Sequence, residues 1–478
     1  MQDAAHGTVL RRARQQLHAR VADALEAQSP ELMDTQPELF AQHYAEAGLV
    51  EKSVICWGKA GQRSAARSAM AEATAQLQKG LDQLTLLPDD PQHQRQQLEF
   101  WSALGAVLLV LKGTAAPEAG EALARARDLW EQLGFPFEFL HIPFNQYRHL
   151  VNRGELDLAL HLAEEVLNVS RGRDDSAGLI LGHTSFARSM MLAGRFALSR
   201  SHYEEVLALY EPGAHPSLVH QAAIYPHLES QAYLGFVLFC LGFPDQASAQ
   251  SSAAIAEARR LAHPPSLAAI VATGAGLHTF SGDDAALGER ADELAVVTTE
   301  RGYPTWGPLV PLFGGWAKVR RGNVAEGIPL LRDGLSAYRA TGAVSWLPQF
   351  IPLLARAYGI AGQIEEAITQ LDETLQIIDR TGERWFEAEV CRLKGQLLLR
   401  QGLREAAEEL YRRALSIARE QEAKLWELRA TVDLARLHHD QGRQTDARNL
   451  LVPVYAWFTE GFDTPDLKEA KALLGKLA

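Results

Sequence analysis

The chain has 478 residues, more than a single hydrophobic core usually organises, so the sequence predicts several domains or one repeat array. Hydrophobic residues make up 47% and charged residues 22%, a globular balance that excludes long disordered stretches. The net charge of −12 opposes attraction to phosphates and argues against nucleic acid as a partner.

Cysteine spacing and hydropathy bear on the cellular compartment. Cys56, Cys240 and Cys391 lie far apart and form no CxxC pair, so the sequence predicts neither a disulfide framework nor a thiolate zinc site. Residues 1–20 lack the apolar segment of a signal peptide, and no stretch approaches the roughly 18 apolar residues of a membrane span. We therefore predict a cytoplasmic protein without a membrane partner.

Glycines at regular intervals divide the chain into predicted helix pairs from its N terminus to its C terminus. From Gly242 to Gly442 they recur every 40 residues, and Gly154 and Gly194 are separated by the same interval. Glycine tolerates the left-handed backbone of a tight turn or helix C-cap. The predicted turn glycines are Gly48, Gly113, Gly154, Gly194, Gly242, Gly282, Gly322, Gly362, Gly402 and Gly442.

Two stretches interrupt this regular pattern. An irregular element is expected around residues 77–97, where Pro88 and Pro91 mark a loop. The interval from Gly194 to Gly242 contains Pro212, Gly213, Pro216 and Pro226, which predicts an inserted loop.

Small residues recur at fixed distances from the turn glycines. Seven residues before the glycine they include Ala41, Ala187, Gly235, Gly315 and Gly395. Five residues after it they include Ser53, Ser199, Ala247, Gly327 and Ala407. Two helices can cross closely at such positions, and each pair leaves an apolar face that only a neighbouring pair can cover. The spacing resembles the tetratricopeptide repeat, lengthened from about 34 to about 40 residues. We predict an all-α, right-handed superhelical solenoid of about ten such pairs.

An aromatic ladder follows the same interval, sixteen residues before the turn glycine. Its members are Trp306, Trp346, Phe386 and Trp426. They could staple adjacent repeats together or stack on a ligand, and the spacing favours stapling.

A second row of side chains occupies positions expected to face the concave groove. It contains Arg148, Arg188, Phe236, Trp316, Arg356 and Arg436, joined by Arg392 and Arg429. Guanidinium groups bind carboxylates bidentately, so these arginines predict an acidic peptide or anionic effector in the groove. The alternative is that they pair with glutamates of neighbouring helices.

Sequence signatures of catalysis are missing. No GxxxxGK[ST] phosphate-binding loop occurs, since Gly58 and Lys59 are followed by Ala60. The sixteen histidines form no HExxH motif. We predict no catalytic residues, no metal, no cofactor and no enzymatic activity for this chain.

Several segments resemble one bacterial family, with similarity along essentially the whole chain. They include residues 14–22 (RQQLHARVA), 39–48 (LFAQHYAEAG) and 57–62 (WGKAGQ). They resemble the C-terminal repeat region of multidomain signalling proteins, in which a class III adenylate or guanylate cyclase, or another effector, precedes a STAND-type AAA ATPase. The resemblance implies that upstream ATPase and cyclase domains act with this region.

The same resemblance suggests how the chain is divided. Residues 1–28 would be the remnant of a helical segment that follows an ATPase, so the chain is expected to begin inside a domain. Residues 29–112 would form irregular helical repeats, and residues 113–478 the regular array.

The leading functional hypothesis is a sensor or scaffold module that binds a protein, peptide or anionic effector in its groove. Two alternatives remain open: an oligomerisation scaffold without a ligand, and an enzyme with an unrecognised site in the groove.

Overall fold

Helices account for all of the regular secondary structure among the described residues. The computed structural model describes residues 11–136, 139–173, 175–213, 218–222, 224–299, 303 and 305–477, and no strand occurs in these ranges. The helices are α1 (Arg11–Gln28), α2 (Leu32–Thr35), α3 (Pro37–Ala47), α4 (Val50–Ala66), α5 (Met70–Leu84), α6 (Pro91–Leu111), α7 (Pro117–Gln132), α8 (His141–Asn152), α9 (Leu156–Arg171), α10 (Ser176–Leu192), α11 (Phe196–Leu209), α12 (Leu218–Ala222), α13 (Pro226–Leu241), α14 (Pro244–Leu261), α15 (Pro264–Ser281), α16 (Asp284–Thr299), α17 (Leu309–Arg320), α18 (Val324–Ala340), α19 (Leu347–Ile360), α20 (Ile364–Thr381), α21 (Glu387–Arg400), α22 (Arg404–Glu420), α23 (Lys424–Asp440), α24 (Gln444–Ala456) and α25 (Pro465–Lys476).

Ten antiparallel helix pairs form the repeats, and a turn glycine connects the two helices of each pair. The pairs are α3/α4, α6/α7, α8/α9, α10/α11, α13/α14, α15/α16, α17/α18, α19/α20, α21/α22 and α23/α24. All ten predicted turn glycines have φ between 78° and 108°, a backbone conformation that side-chain-bearing residues rarely adopt. The predicted all-α solenoid of about ten helix pairs is therefore confirmed.

The small residues lie where the two helices of a pair cross. A Cβ on Gly315 would meet the Gly327 carbonyl oxygen at 2.9 Å, so α17 and α18 touch backbone to backbone. In α10/α11 the Ser199 hydroxyl donates to the Ala187 carbonyl at 2.7 Å, and Ser53 donates to Ala41 in the same way. The predicted close crossing is confirmed in these pairs.

The chain forms two compact units. Unit 1 contains residues 1–146 and 220–223, and unit 2 contains residues 147–219 and 224–478. Large buried side chains of unit 1 include Phe40, Tyr44 and Trp57. The division at residues 28 and 112 stays a prediction, and residues 1–10 of its first segment lie outside the described ranges.

The two interruptions of the repeat pattern contain helices. Residues 77–97, expected to be irregular, hold the end of α5, a short loop and the start of α6. Asp90 caps α6 by accepting a hydrogen bond from the His93 N–H at 2.9 Å, and Pro91 occupies the first turn. The predicted insertion before Pro226 contains the short helix α12; residues 214–217 and 223 are outside the described ranges.

Within unit 2, repeats far apart in sequence contact each other. The carbonyl of Asn152, the last residue of α8, accepts hydrogen bonds from Val344 N–H at 2.8 Å and Ser345 N–H at 3.1 Å. Forty residues later, the Leu192 carbonyl ending α10 accepts from Arg384 N–H at 2.8 Å and Trp385 N–H at 3.1 Å.

The final carbonyls of a helix lack partners inside it, so loops of the later repeats satisfy them. We call this line of contacts between early and late repeats of unit 2 the seam.

No described helix combines the length and apolar character needed to cross a membrane.

Candidate anion-binding pocket

Aromatic side chains from early and late repeats meet in the buried interior of unit 2. Phe280 packs edge-to-face against Trp426, with ring centres 5.7 Å apart, and against Trp385 at 5.9 Å. Phe386 contacts Trp426 at 5.5 Å, and Trp346 contacts Trp385 at 5.6 Å. All five side chains are buried. Three members of the predicted ladder thus lie in one aromatic cluster, whereas Trp306 packs against Tyr303.

A buried carboxyl, which the sequence reasoning missed, supports this cluster. Glu383 accepts hydrogen bonds from the Trp346 N–H at 3.0 Å and from the Trp385 indole N–H at 3.2 Å. These contacts hold Trp346 at φ 72°, a strained value for a residue other than glycine. Burial raises the pKa of Glu383 to about 7, although these donors oppose the increase. Glu383 follows Gly382 directly, but nothing in the sequence indicates its burial.

The predicted groove residues separate into two groups. In the first, Arg188 pairs with Glu229 at 3.3 Å and lies over the Tyr233 ring at 5.2 Å. Arg148 is buried, and burial lowers the pKa of its guanidinium. Phe236 belongs to the aromatic cluster and contacts Trp346 at 5.6 Å. The side chains of this group are packed inside unit 2.

In the second group, three predicted arginines line one cavity of about 280 Å³ in unit 2. They are Arg356 on α19, Arg392 on α21 and Arg429 on α23, joined by the end of α15 and the start of α25. Each arginine follows the previous one by 36 or 37 residues, about one repeat, so the three lie on the first helices of three successive repeats. Arg320 on α17 also lines the cavity.

Ion pairs neutralise most of these arginines. Glu389 bridges Arg392 at 2.6 Å and Arg429 at 2.9 Å, and each of these two arginines has a second carboxylate partner. These partners are Asp433, at 2.8 Å from Arg392, and Asp466, at 2.7 Å from Arg429. Burial would raise the pKa of Glu389, but attraction by the two guanidinium groups outweighs it and lowers the pKa to about 2.

The outer charges of the cavity are paired as well. Arg320 binds Asp284 at 2.8 Å. Arg436 binds Asp433 at 3.3 Å and also pairs with Glu469. Arg392, Arg429 and Arg436 therefore pair with carboxylates of neighbouring helices, as in the alternative given from the sequence.

Arg356 differs from the other arginines that line the cavity because no described carboxylate lies within 4.0 Å of its guanidinium group. The group lies over the Trp316 ring at 4.4 Å and makes a long contact of 3.4 Å to the Thr279 carbonyl. Burial, together with the positive charges of Arg429 and Arg392, lowers the pKa of Arg356 to about 9. Arg356 is therefore the one lining arginine in the described chain whose charge has no carboxylate partner.

The end of α15 forms one edge of the cavity. The Thr279 carbonyl accepts from the Trp316 indole N–H at 3.2 Å as well as from Arg356. At eight of the ten turns the glycine N–H bonds to the carbonyl three residues back, as in Gly242 to Phe239 at 3.1 Å. Gly113 and Gly282 make no such bond among the described contacts, and Gly282 is an exposed residue at the edge of the cavity. The pocket thus combines the Arg356 guanidinium group, which lacks a carboxylate partner, with an exposed turn whose Gly282 N–H makes no described backbone hydrogen bond.

This donor set suits a negatively charged ligand. The described residues contain no group of three or more His, Cys, Asp or Glu side chains arranged to hold a metal ion. The carboxylates that line the cavity each face an arginine, so the arrangement favours binding over acid–base chemistry.

These features define a helical-repeat protein with a tetratricopeptide-repeat region. Residues 349–420 match the tetratricopeptide repeat family. The chain is 28% identical over 415 residues to the uncharacterized protein R02095 of Rhizobium meliloti (strain 1021). That alignment covers 85% of this chain and 40% of the relative, so the chain spans about two-fifths of the length of the relative.

Two solved structures align with this chain at low identity. The APC/C hetero-tetramer Cut9-Hcn1 aligns with a TM-score of 0.45 and 13% identity, covering 97% of this chain and 93% of that one. A Rap protein complexed with competence and sporulation factor aligns with a TM-score of 0.49 and 12% identity, covering 77% of this chain and 99% of that one.

Proposed function

We propose that this chain is a regulatory interaction module that binds an acidic group of a protein, peptide or effector in the Arg356 pocket. Tetratricopeptide-type repeats commonly act as scaffolds for protein interactions. The observation that carries the proposal is the guanidinium group of Arg356, which faces a cavity without a carboxylate partner. A partly buried cation of this kind is stabilised by any carboxylate that enters.

The packing of unit 2 favours this pocket over the other positions of the predicted groove. Aromatic side chains fill the region around Trp346 and Trp426, and Arg188 is already bonded to Glu229. Around Arg356, in contrast, a cavity of about 280 Å³ remains. A ligand there would gain a charge-assisted hydrogen bond without displacing an internal ion pair.

The proposed role in signalling follows from the position of the pocket on the seam. A ligand that contacts α15 and α19 together would change how early and late repeats fit, and such a change can spread along stacked repeats. The resemblance predicts an upstream ATPase or cyclase as the output domain. In the complete polypeptide, we expect Arg356→Gln and deletion of the repeats each to abolish the change in output that an acidic ligand causes.

A direct binding measurement tests the proposal. Fluorescence anisotropy would compare labelled hexaglutamate with labelled hexaglutamine, using the whole chain. We expect hexaglutamate to bind at least about tenfold more tightly, since a charge-assisted hydrogen bond contributes roughly 1.5–3 kcal/mol. The net charge of −12 repels acidic peptides, so a preference for hexaglutamate must arise from a local cation.

Matched variants assign that preference to the pocket. Arg356→Gln should remove it. Arg332→Gln is the control, because Arg332 also lies over an aromatic ring, that of Tyr358 at 5.4 Å, but does not line the cavity. Equal affinity of the wild-type chain for the two peptides would refute the proposal, as would an unchanged preference in a folded Arg356→Gln variant.

A further inference from the structure

Two of the carboxylates at the Arg356 pocket belong to a single helix, α25. Asp466, in the first turn of α25, accepts hydrogen bonds from Arg429 Nε at 2.7 Å and from Arg429 Nη2 at 2.9 Å. Glu469, three residues later, accepts a hydrogen bond from Arg436. Both carboxylates line the cavity, and both arginines lie on α23. α25 therefore presents an acidic pair to the arginines of the pocket.

The total charge of the pocket depends on this acidic pair. Among the described residues, the arginines and the carboxylates that meet at the cavity are equal in number, five of each: Arg320, Arg356, Arg392, Arg429 and Arg436 against Asp284, Glu389, Asp433, Asp466 and Glu469. Three of the carboxylates belong to α16, α21 and α23, and α25 supplies the other two. Without the α25 pair, five guanidinium groups would face three carboxylates. α25 thus offsets two positive charges of a pocket that these three helices leave cationic.

Arg429 has no donor left for another acidic group while Asp466 is bound. Its Nη1 donates to Glu389 at 2.9 Å, and its Nη2 donates to the Phe280 carbonyl as well as to Asp466. Because Nε also donates to Asp466, all three nitrogens of the guanidinium group have internal acceptors. Departure of Asp466 would free donors on two of these nitrogens, the arrangement that binds a carboxylate bidentately.

The contact between Glu469 and Arg436 is closer to water. The side chain of Arg436 is 43% exposed and that of Glu469 is 55% exposed, whereas that of Asp466 is 14% exposed. Ion pairs with this degree of exposure contribute little to stability, so Glu469 can leave Arg436 at low cost. Exchange of one acidic partner for another should therefore begin at Arg436.

α25 is a short helix that is docked through one apolar face. Leu467, Ala470 and Leu473 are buried, whereas Lys468 and Lys471 are exposed, and the helix packs against α23 and α24. A helix of 12 residues is at most marginally stable alone in water, so the contacts with its neighbours maintain α25. Loss of its ion pairs to α23 should loosen the helix.

We propose that α25 is an internal ligand of the pocket, and that an acidic partner binds by taking the two arginines of α23 from the α25 carboxylates. This inference rests on the proposed function and specifies how that pocket is regulated and what its partner carries. One acidic group of the partner binds Arg356 without displacing an ion pair. Two further acidic groups, about one helical turn apart like Asp466 and Glu469, bind Arg429 and Arg436. α25 lowers the affinity for the partner, and the bound partner releases α25 from α23.

Two charge-matched double variants test this competition by fluorescence anisotropy of labelled hexaglutamate. Asp466→Asn with Glu469→Gln should bind at least about tenfold more tightly than the wild-type chain, the effect of one added charge-assisted hydrogen bond. The control, Glu409→Gln with Asp446→Asn, removes two exposed carboxylates that do not line the cavity. Both variants lose two negative charges, so the general repulsion of hexaglutamate falls equally in both. An equal gain in the two variants would refute the competition.

A single variant keeps the test decisive if the double variant does not fold. Glu469→Gln removes only the half-exposed partner of Arg436, so its helical circular dichroism should match that of the wild-type chain. We expect it to bind hexaglutamate about threefold more tightly, and addition of Arg436→Gln should cancel the gain. Wild-type affinity in the folded Glu469→Gln variant would contradict the release of Arg436.

Hydrogen exchange followed by mass spectrometry tests the release of the helix. Saturating hexaglutamate should speed exchange in residues 465–476 of the wild-type chain by at least about threefold, because α25 loses its ion pairs to α23. Arg356→Gln, which should lose the preference for hexaglutamate, should show no change. The double variant of Asp466 and Glu469 should show none either, since it has no such pairs to lose.

The outcomes separate this inference from the proposed function. If hexaglutamate binds through Arg356 and the α25 variants gain no affinity over the control, the internal ligand is refuted and the acidic pocket stands. A gain in affinity without faster exchange in α25 would refute the release of the helix. Binding by the α25 double variant alone would support the internal ligand and refute the proposed function for the unmodified chain. Absence of binding in both would refute both.

Discussion

Replacement of Glu389 by glutamine should destabilise unit 2 strongly and in a pH-dependent manner. Glu389 is buried between Arg392 and Arg429, at 2.6 Å and 2.9 Å. Its pKa falls from the ordinary value of 4.5 to about 2 in the folded chain. At about 1.4 kcal/mol per pKa unit, this difference corresponds to about 3 kcal/mol of stability at neutral pH. Glutamine keeps the shape but leaves both arginines with one carboxylate fewer.

The sign of the pH effect follows from the lowered pKa. A carboxylate with a folded pKa below its unfolded pKa stabilises the fold fully above about pH 4.5, and this contribution is lost as the pH falls toward 2. The wild-type chain should therefore lose about 3 kcal/mol from this group across that interval. Glu389→Gln lacks the titrating group, so its free energy of unfolding should fall by about 3 kcal/mol less than that of the wild-type chain over the same pH interval.

Thermal unfolding followed by circular dichroism measures the effect. Unit 2 has 328 residues, and an unfolding entropy of about 2 cal/mol/K per residue converts 3 kcal/mol into a fall of about 5 °C at pH 7. Glu409→Gln is the matched control, because Glu409 is exposed on α22 and should change the midpoint by less than about 1 °C. A midpoint of Glu389→Gln at pH 7 equal to that of the control would refute the electrostatic account.

Three further substitutions test the packing. Gly315→Ala should lower the free energy of unfolding by about 1–3 kcal/mol, because its Cβ would meet three atoms at 2.9 Å. The adjacent Gly314→Ala is the control: no atom lies within 4 Å of its Cβ, so it should be neutral or stabilising. Urea unfolding measures both. The pH dependence expected from Glu383 is opposite to that from Glu389. Its pKa, raised to about 7, stabilises the fold below about pH 4.5, and this contribution is lost as the pH rises through 7. Between pH 4.5 and pH 8 the free energy of unfolding should therefore fall by about 3 kcal/mol less in Glu383→Gln than in the wild-type chain, as measured by thermal unfolding at the two pH values. Trp426→Ala, at a fully buried position, should cost about 3–5 kcal/mol in urea unfolding, and a similar cost for the half-exposed Phe462→Ala would contradict this assignment.

The repeat architecture could be predicted because it depends on local geometry. A turn glycine needs only its own backbone conformation, and the crossing of α17 with α18 needs only small residues at 315 and 327, twelve positions apart. Both requirements recur every 40 residues and are visible in the sequence. The ten turns and the close helix crossings were therefore predicted from residue identity alone.

The site was predicted only in part, because its contacts join repeats far apart in sequence. The arginine row was visible at Arg356, Arg392 and Arg429, but nothing local reveals that Arg356 alone lacks a carboxylate partner. That difference depends on Glu389, one repeat later on α21, and on the end of α15, two repeats earlier.

The sequence by itself thus determined the helices, their turns and the nearest-neighbour packing of the pairs, since each depends on residues within one repeat. Only the tertiary structure decided which repeats meet across the seam, as when the Leu192 carbonyl receives the Arg384 N–H. The physical reason is that small rotations between successive repeats accumulate along the array, and their sum sets which distant side chains come together. That sum separated Arg148 and Arg188 from Arg356 and left the charge of Arg356 free in the pocket.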